Sequence, residues 1–331
     1  MHDDLVILRR EGLYCPAGDF HIDPWRPVPR AVITHGHSDH ARSGMGEYHA
    51  VEEGLPILRH RLGEAAVLIG HGYGESFDFG PVRVSLHPAG HILGSAQVRI
   101  EREGRVWVVT GDYKRDPDPS CAAFEVVPCE TLITEATFGF PCYRWPPMGA
   151  VLADVLRWWD RCAAAGEVAL LGCYALGKAQ RLLAELARVC DRPVHLHGAM
   201  SGLVELYRSA GVVMAPTIAV AEEPRGRDLA GALVLAPPSA FGSPWMRRFP
   251  KSQVAFASGW MQLRGQRRRR GVDRGFVVSD HADWPGLVRT VRESGARRVL
   301  ATHGQCEPLV RWLGDQGIAA EALRTELGGE E

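Results

Sequence analysis

The chain has no long apolar run, no paired-cysteine motif and almost no net charge, and each absence removes a class of protein. Among its 331 residues no apolar stretch approaches the roughly 18–20 residues of a membrane-spanning helix. Met1–Asp4 is acidic and no apolar segment follows, so a secretory leader is not expected. The eight cysteines are scattered with no Cys-x-x-Cys pair, which argues against a zinc ribbon or a thioredoxin-type motif. Reduced thiols in a cytoplasmic protein are the expectation. A formal charge of −1 supplies no global field for nucleic acid. No internal repeat is visible. What is present is 46% hydrophobic residues, enough to bury a sizeable core in one large or two modest domains.

The richest segment is Thr34-His35-Gly36-His37-Ser38-Asp39-His40, directly after the strand-like Ala31–Ile33. A strand that stops at such a cluster delivers imidazole and carboxylate groups from a short, rigid turn. His35 and His37 are expected to point one way, Asp39 and His40 another, so two divalent ions can share the turn. This donor set suits zinc, manganese or iron better than calcium or magnesium. Further ligands must come from other loops. His91 follows the strand-like Val82–Leu86, Asp112 follows Val106–Val109, and His303 follows Arg298–Leu300.

These motifs resemble the metallo-β-lactamase superfamily, and within it the nucleases with a β-CASP insertion. The pattern is most similar to the bacterial ligase-associated DNA exonucleases, relatives of the Artemis-type nucleases and the RNA 3′-processing endonucleases. The opening stretch Gly12–Asp19 and Ile22–Trp25 resembles that family as well. The resemblance implies an α/β fold, an αββα sandwich over residues 1–140 and 256–331, with a small inserted α/β lobe at 141–255. It places His35, His37 and His91 on one metal, Asp39, His40 and His303 on the other, and Asp112 between them. Asp23 matches an acidic residue that orients a ligand from behind.

Three β-CASP motifs are also implied. Glu135, in Thr134–Gly139, resembles motif A, with Ala136 a small departure; His281 resembles motif B, and His303 motif C. The resemblance implies that Glu135 supports a protonated His281, which donates to the leaving oxygen, while Asp39 and Asp112 serve the catalytic metal pair. Two ions about 3.5–4 Å apart would clamp a phosphate and activate water. The implied activity is a DNA exonuclease in repair, cutting 5′→3′, with DNA as partner and a functional association with a DNA ligase and helicase. A histidine at motif C is more typical of RNA-acting members, so an RNA nuclease is the alternative. A small-molecule hydrolase on the same scaffold would need neither insertion nor motif B. A binding-only relative would have lost ligands, and all seven positions are filled.

Organisation follows from alternation. Pro141–Pro147 breaks the first strand-rich region, a helix-like Val151–Ala165 begins, and βα alternation runs to about residue 255. Within it, Gly172–Ala179 reads almost as a P-loop, but Ala179 replaces the hydroxyl residue that would hold magnesium. Lys178, at a helix N-terminus, would either bind a substrate phosphate or stand solvated. Arg264, Arg267, Arg268, Arg269, Arg270 and Arg274 crowd one stretch opposed only by Asp273. Such a run binds phosphate backbones or is a solvated face. Trp260 and Trp284 would stack on bases or fill the core. His195 and His197, with no acidic neighbour, read as structural or substrate contacts, and His87 as a support for the His91 loop.

Overall fold

The computed structural model describes residues 4–222, 229–263, 265 and 274–326. They form a mixed α/β protein of two units, Met1–Arg144 with His281–Glu331, and Trp145–Asp280.

The first unit opens with a six-stranded sheet in chain order: β1 (Ile7–Arg9), β2 (Gly12–Cys15), β3 (Phe20–Ile22), β4 (Arg30–Val32), β5 (Glu47–Val51) and β6 (Leu68–His71). Side chains alternate across it as a pleat requires. On β4, Ala31 packs outward with Tyr48, Ala50 and Leu58, beneath helix α1 (Leu55–Leu62), while Val32 faces the other way. A second sheet begins with β7 (Ser76–Phe79), β8 (Val82–Pro88), β9 (Ala96–Arg102), β10 (Arg105–Val109) and β11 (Thr131–Ala136). Val32 and Val51 of the first sheet share one core with Val84, Val98, Trp107 and Ile133 of the second, so the two sheets pack face to face.

The second unit is a parallel sheet with helices. It contains α2 (Met148–Ala164), β12 (Val168–Gly172), α3 (Lys178–Leu186), β13 (Val194–Leu196), α4 (Gly198–Ser209), β14 (Thr217–Ala219), β15 (Leu233–Ala236), β16 (Ser252–Ala257) and β17 (Arg274–Phe276). The order is β14-β13-β15-β12-β16-β17, with every pairing parallel. β12 and β15 are buried at every position, the mark of parallel strands covered on both faces. α2 buries Val151, Leu152, Val155, Trp158, Trp159 and Cys162, a stripe at helical spacing. The boundary expected at 255/256 cuts β16, which pairs with β12 and β17; the sheet carries this unit on to Asp280.

The chain then completes the first unit with α5 (Trp284–Ser294), β18 (Arg298–Gly304), α6 (Cys306–Asp315) and β19 (Ala319–Ala322). Asp283 caps α5 by accepting from Gly286 N, a contact worth about 1 kcal/mol, and Gly295 ends it at φ 68°. Parallel pairing of β11, β18 and β19 finishes the second sheet in the order β19-β18-β11-β10-β9-β8-β7. Leu287 and Val291 of α5 and Leu309 and Leu313 of α6 cover its outer face, with Trp284 buried among them, so that tryptophan is core and not a base-stacking platform. No helix of the described residues is long and apolar enough to cross a membrane.

Candidate metal centre

The segment after β4 is fixed before any ligand is considered. Ile33 N donates to His49 O at 2.8 Å and Ala96 N donates to Thr34 O at 2.8 Å, tying the segment to β5 and β9. His37 O then accepts from His40 N and Ala41 N, a single helical turn that divides His35 and His37 from Asp39 and His40. Buried Asp23, at φ 43°, accepts from Thr34 N at 2.8 Å, Thr34 Oγ1 at 2.6 Å and His40 Nδ1 at 2.8 Å. Thr34 Oγ1, its proton given to Asp23, lies 3.0 Å from His35 Nδ1. Both histidines therefore hold their Nδ1 protons outward and turn Nε2 to the centre. The role of Thr34 was not read from the sequence, although its place in the motif puts it beside both partners.

The other donors arrive from the second sheet. The backbone N–H groups of His91 and Ile92 both donate to Ser95 Oγ, at 3.1 and 3.2 Å, which rigidifies the His91 turn. His91 Nε2 and His35 Nε2 lie 3.0 and 3.1 Å from His37 Nδ1. Gly111, at φ 56°, lets the Asp112 loop meet Thr34: a Cβ there would lie 2.6 Å from Thr34 Cβ. His303 does not follow the end of its strand as expected. It is the extra residue of a bulge in β18, where Glu135 pairs with Thr302 and Ala136 with Gly304, and its φ of 59° turns the ring out of the ladder. Gly304 is required beside it, since a Cβ would stand 2.4 Å from Thr137 Cα.

Two groups of donors result. His35, His37, His91 and Asp112 lie with their ligand atoms mutually within 4.8 Å, and so do Asp39, His40 and His303. Asp112 Oδ2 is 3.5 Å from His35 Nε2 and 3.4 Å from His40 Nε2, so one carboxylate reaches both groups. A carboxylate that is 2% exposed is costly without partners. Yet both Asp112 oxygens, His40 Nε2 and both His303 nitrogens lack a hydrogen-bond partner among the described residues. Convergent imidazole nitrogens and an unsatisfied carboxylate are what a pair of divalent cations would relieve.

Charge is already polarised in the protein alone. Burial and then the neighbouring His40 and His91 hold His35 well below the usual histidine range. For His40 burial pulls downward, but Asp112 and Asp23 outweigh it and hold the ring well above that range. Burial likewise opposes ionisation of Asp112, and His40, His303 and His281 overcome it, keeping the carboxyl well below its usual range.

Beside the cluster stands a dyad. His281 Nδ1 lies 2.9 Å from Glu135 Oε2 and 3.1 Å from Oε1, and Tyr113 N donates to Glu135 Oε1 at 2.8 Å. Both side chains are buried. The His281 ring is 4.8 Å from that of His91, and ligand atoms of Asp112, Glu135 and His281 fall within 4.8 Å of one another.

The remaining sequence candidates sit differently. Lys178 is not solvated: it is buried, with Nζ 2.8 Å from Asp280 Oδ1 and 4.2 Å from the Tyr174 ring centroid. A helix N-terminus with a lysine is thus satisfied internally, which the sequence could not reveal because Asp280 is distant in the chain. Arg264 and Arg267–Arg270 lie outside the described residues. His197 caps α4 by accepting from Ala199 N, and His87 bridges Ser85 and Glu125.

No family model matches the chain. Over 317 residues, 94% of its length, it is 33% identical to a probable DNA ligase of Opitutus terrae, and the match covers 30% of that protein. It is 34% identical over 116 residues, 34% of the chain, to endoribonuclease YSH1 of Gibberella zeae, covering 13% of that protein. The chain thus spans less than a third of the length of either relative. Among solved structures it is similar in fold, at TM-score 0.62 and 13% identity, to a protein of unknown function from Enterococcus faecalis, over 92% of this chain and 81% of that one.

Proposed function

We propose that this chain is a metal-dependent nuclease of the metallo-β-lactamase fold with a β-CASP-type insertion. The observation that carries the reading is the Asp112 carboxylate, buried between two histidine-rich donor groups and left without a hydrogen-bond partner among the described residues. His35, His37, His91 and Asp112 would hold one ion, and Asp39, His40, His303 and Asp112 the other, with zinc or manganese fitting the donors best and iron also accommodated. Bound there, two such ions polarise a phosphodiester and lower the pKa of water. Asp23 and Thr34 keep His40 and His35 in the ligating tautomer. Glu135 accepts from His281 Nδ1, which favours the doubly protonated ring and makes Nε2 the atom that gives its proton to the departing sugar oxygen.

Substrate identity divides along the relatives. The endoribonuclease relative supports RNA as the substrate in preference to the DNA exonuclease activity expected from the motifs, and a histidine at position 303 agrees with that choice. The DNA reading, with a DNA ligase as functional partner, rests on the nearly full-length similarity to the ligase. Matched RNA and DNA oligonucleotides, each labelled at the 5′ or the 3′ end, separate the two when incubated with manganese- or zinc-loaded protein. Cleavage of RNA that stops on chelation is the expected result. Stepwise shortening of DNA alone would restore the exonuclease, with the first label lost fixing its polarity, and inertness toward both would remove the nuclease reading.

A further inference from the structure

Helix α1 ends in three basic residues, Arg59, His60 and Arg61, and the two arginines are used differently. Arg59 is consumed by its own helix end: Nη1 donates to the carbonyls of Gly63, Glu64 and Ala66. Such capping of terminal carbonyls is the ordinary work of a basic side chain in a last turn. Arg61 turns the other way. Its Nε donates to Gly36 O at 2.5 Å, the carbonyl between the two ligand candidates His35 and His37. Neither Nη1 nor Nη2 has a partner among the described residues, and Arg61 is an exposed residue. Desolvation pulls the pKa of its guanidinium down, and the carboxylate of Asp39, itself a ligand candidate, opposes that. One edge of the guanidinium is therefore anchored to the carbonyl between His35 and His37, which leaves the Nη1 and Nη2 donors of the other edge uncommitted among the described residues.

We propose that Arg61 is a phosphate-contacting residue of the candidate metal centre, gripping a non-bridging oxygen of a nucleic-acid phosphate next to the one being cut. The inference rests on the nuclease reading and deepens it. A guanidinium suits the task because its fork matches phosphate oxygens and stays charged, and anchorage through Nε reduces the entropy lost on binding. The residue lies 25 positions from Gly36 and belongs to no motif, so nothing in the sequence marked it.

The test compares wild type with Arg61→Ala and Arg61→Lys, each loaded with manganese. For an oligonucleotide substrate, Arg61→Ala is expected to raise KM about tenfold, with kcat moving much less, and to lower the slope of log affinity against log salt by about one contact. Arg61→Lys, which keeps the charge but loses the fork, should fall between. Metal content measured by atomic emission should not change. A fall in metal content or kcat with KM and salt slope unaltered would show that Arg61 only braces the Gly36 turn, and would overturn the proposal. Binding of inorganic phosphate to the metal-loaded protein, measured by calorimetry, separates this inference from its premise. If wild type cleaves no phosphodiester, the nuclease reading fails, whereas equal phosphate affinity in wild type and Arg61→Ala removes the subsite whatever the activity.

Discussion

Two loops in this molecule, one in each unit, follow strands in parallel pairing and bury charge, and they meet its cost differently. After β12, Lys178 enters the interior of the second unit and meets Asp280 at 2.8 Å, a cation matched by an anion. After β4, the first unit gathers His35, His37, His40 and Asp39 with His91, Asp112 and His303, and leaves both Asp112 oxygens and both His303 nitrogens unmatched among the described residues. Both loops drew attention in the sequence as potential ligand sites. Buried charge alone does not separate them; what does is the kind of partner the protein supplies, a lysine ammonium 2.8 Å from Asp280 but only imidazoles, at 3.4 Å or more, for Asp112. Imidazoles ligate divalent cations and an ammonium does not, so the two settings invite different readings.

The largest expected effect comes from removing the bridge of the open cluster. Asp112→Asn deletes the charge that both donor groups approach, and cleavage should drop on the order of 10³-fold or more, with metal content reduced and the circular dichroism spectrum retained. Turnover at the wild-type level would take Asp112 out of its assigned place. His281→Ala probes the neighbouring dyad. A loss of about 10²-fold in kcat with metal content unchanged is expected of a proton donor that is not a ligand. Loss of metal in that variant would show His281 to be part of the cluster itself.

Lys178 should respond in stability. Lys178→Met strands Asp280, and breaking a buried pair from one side costs about 3–5 kcal/mol in a urea melt. The double variant Lys178→Met/Asp280→Leu removes both charges and should recover most of that loss. A single variant as stable as wild type, but weaker for oligonucleotide, would return Lys178 to substrate binding and collapse the contrast between the loops.

How much of this was legible beforehand follows the same division. The convergence of the candidate donors in the His35–His40 run could be read because spacing within one turn fixes their directions, and that of His91 and Asp112 because each follows a strand. The alternation after Pro147 was legible as helix and strand, since α2 carries an apolar stripe at helical spacing and β12 is a short continuous apolar run. Contacts between distant segments could not be read. Asp280 beneath Lys178, Arg61 against Gly36, and the bulge that turns His303 out of β18 are products of tertiary packing, which local pattern does not encode. The far boundary of the second unit was misplaced on that account, because only strand pairing shows that β16 and β17 extend the parallel sheet.

A third buried arrangement, with the smallest expected effect, is built from two histidines. His49 on β5 and His71 on β6 are buried, with Nδ1 of the first 2.9 Å from Nε2 of the second and the rings stacked at 5.2 Å. One imidazole donates to the other and His49 Nε2 lies 3.4 Å from Glu47 Oε1, so the pair is satisfied within the protein without a cation. Phe77 stacks on His71 at 3.6 Å and Phe79 meets His49 edge-on, while Glu47 and Arg30 flank His49 and Glu75 acts on His71. Burial first, and for His71 then His49, hold both rings below the ordinary histidine value. The folded protein therefore binds protons here less readily than the unfolded chain. The stabilising contribution is complete above the unfolded value near 6.5 and is lost as the pH falls through it toward the lower folded values. Urea midpoints between pH 8 and pH 5 should thus decline more steeply for wild type than for His49→Phe/His71→Phe, measured with chelator so that the donor cluster contributes equally to both. Parallel declines would mean that the pair is not held neutral, and that this sheet, like the open cluster, carries histidines whose charge the protein has left to be balanced from elsewhere.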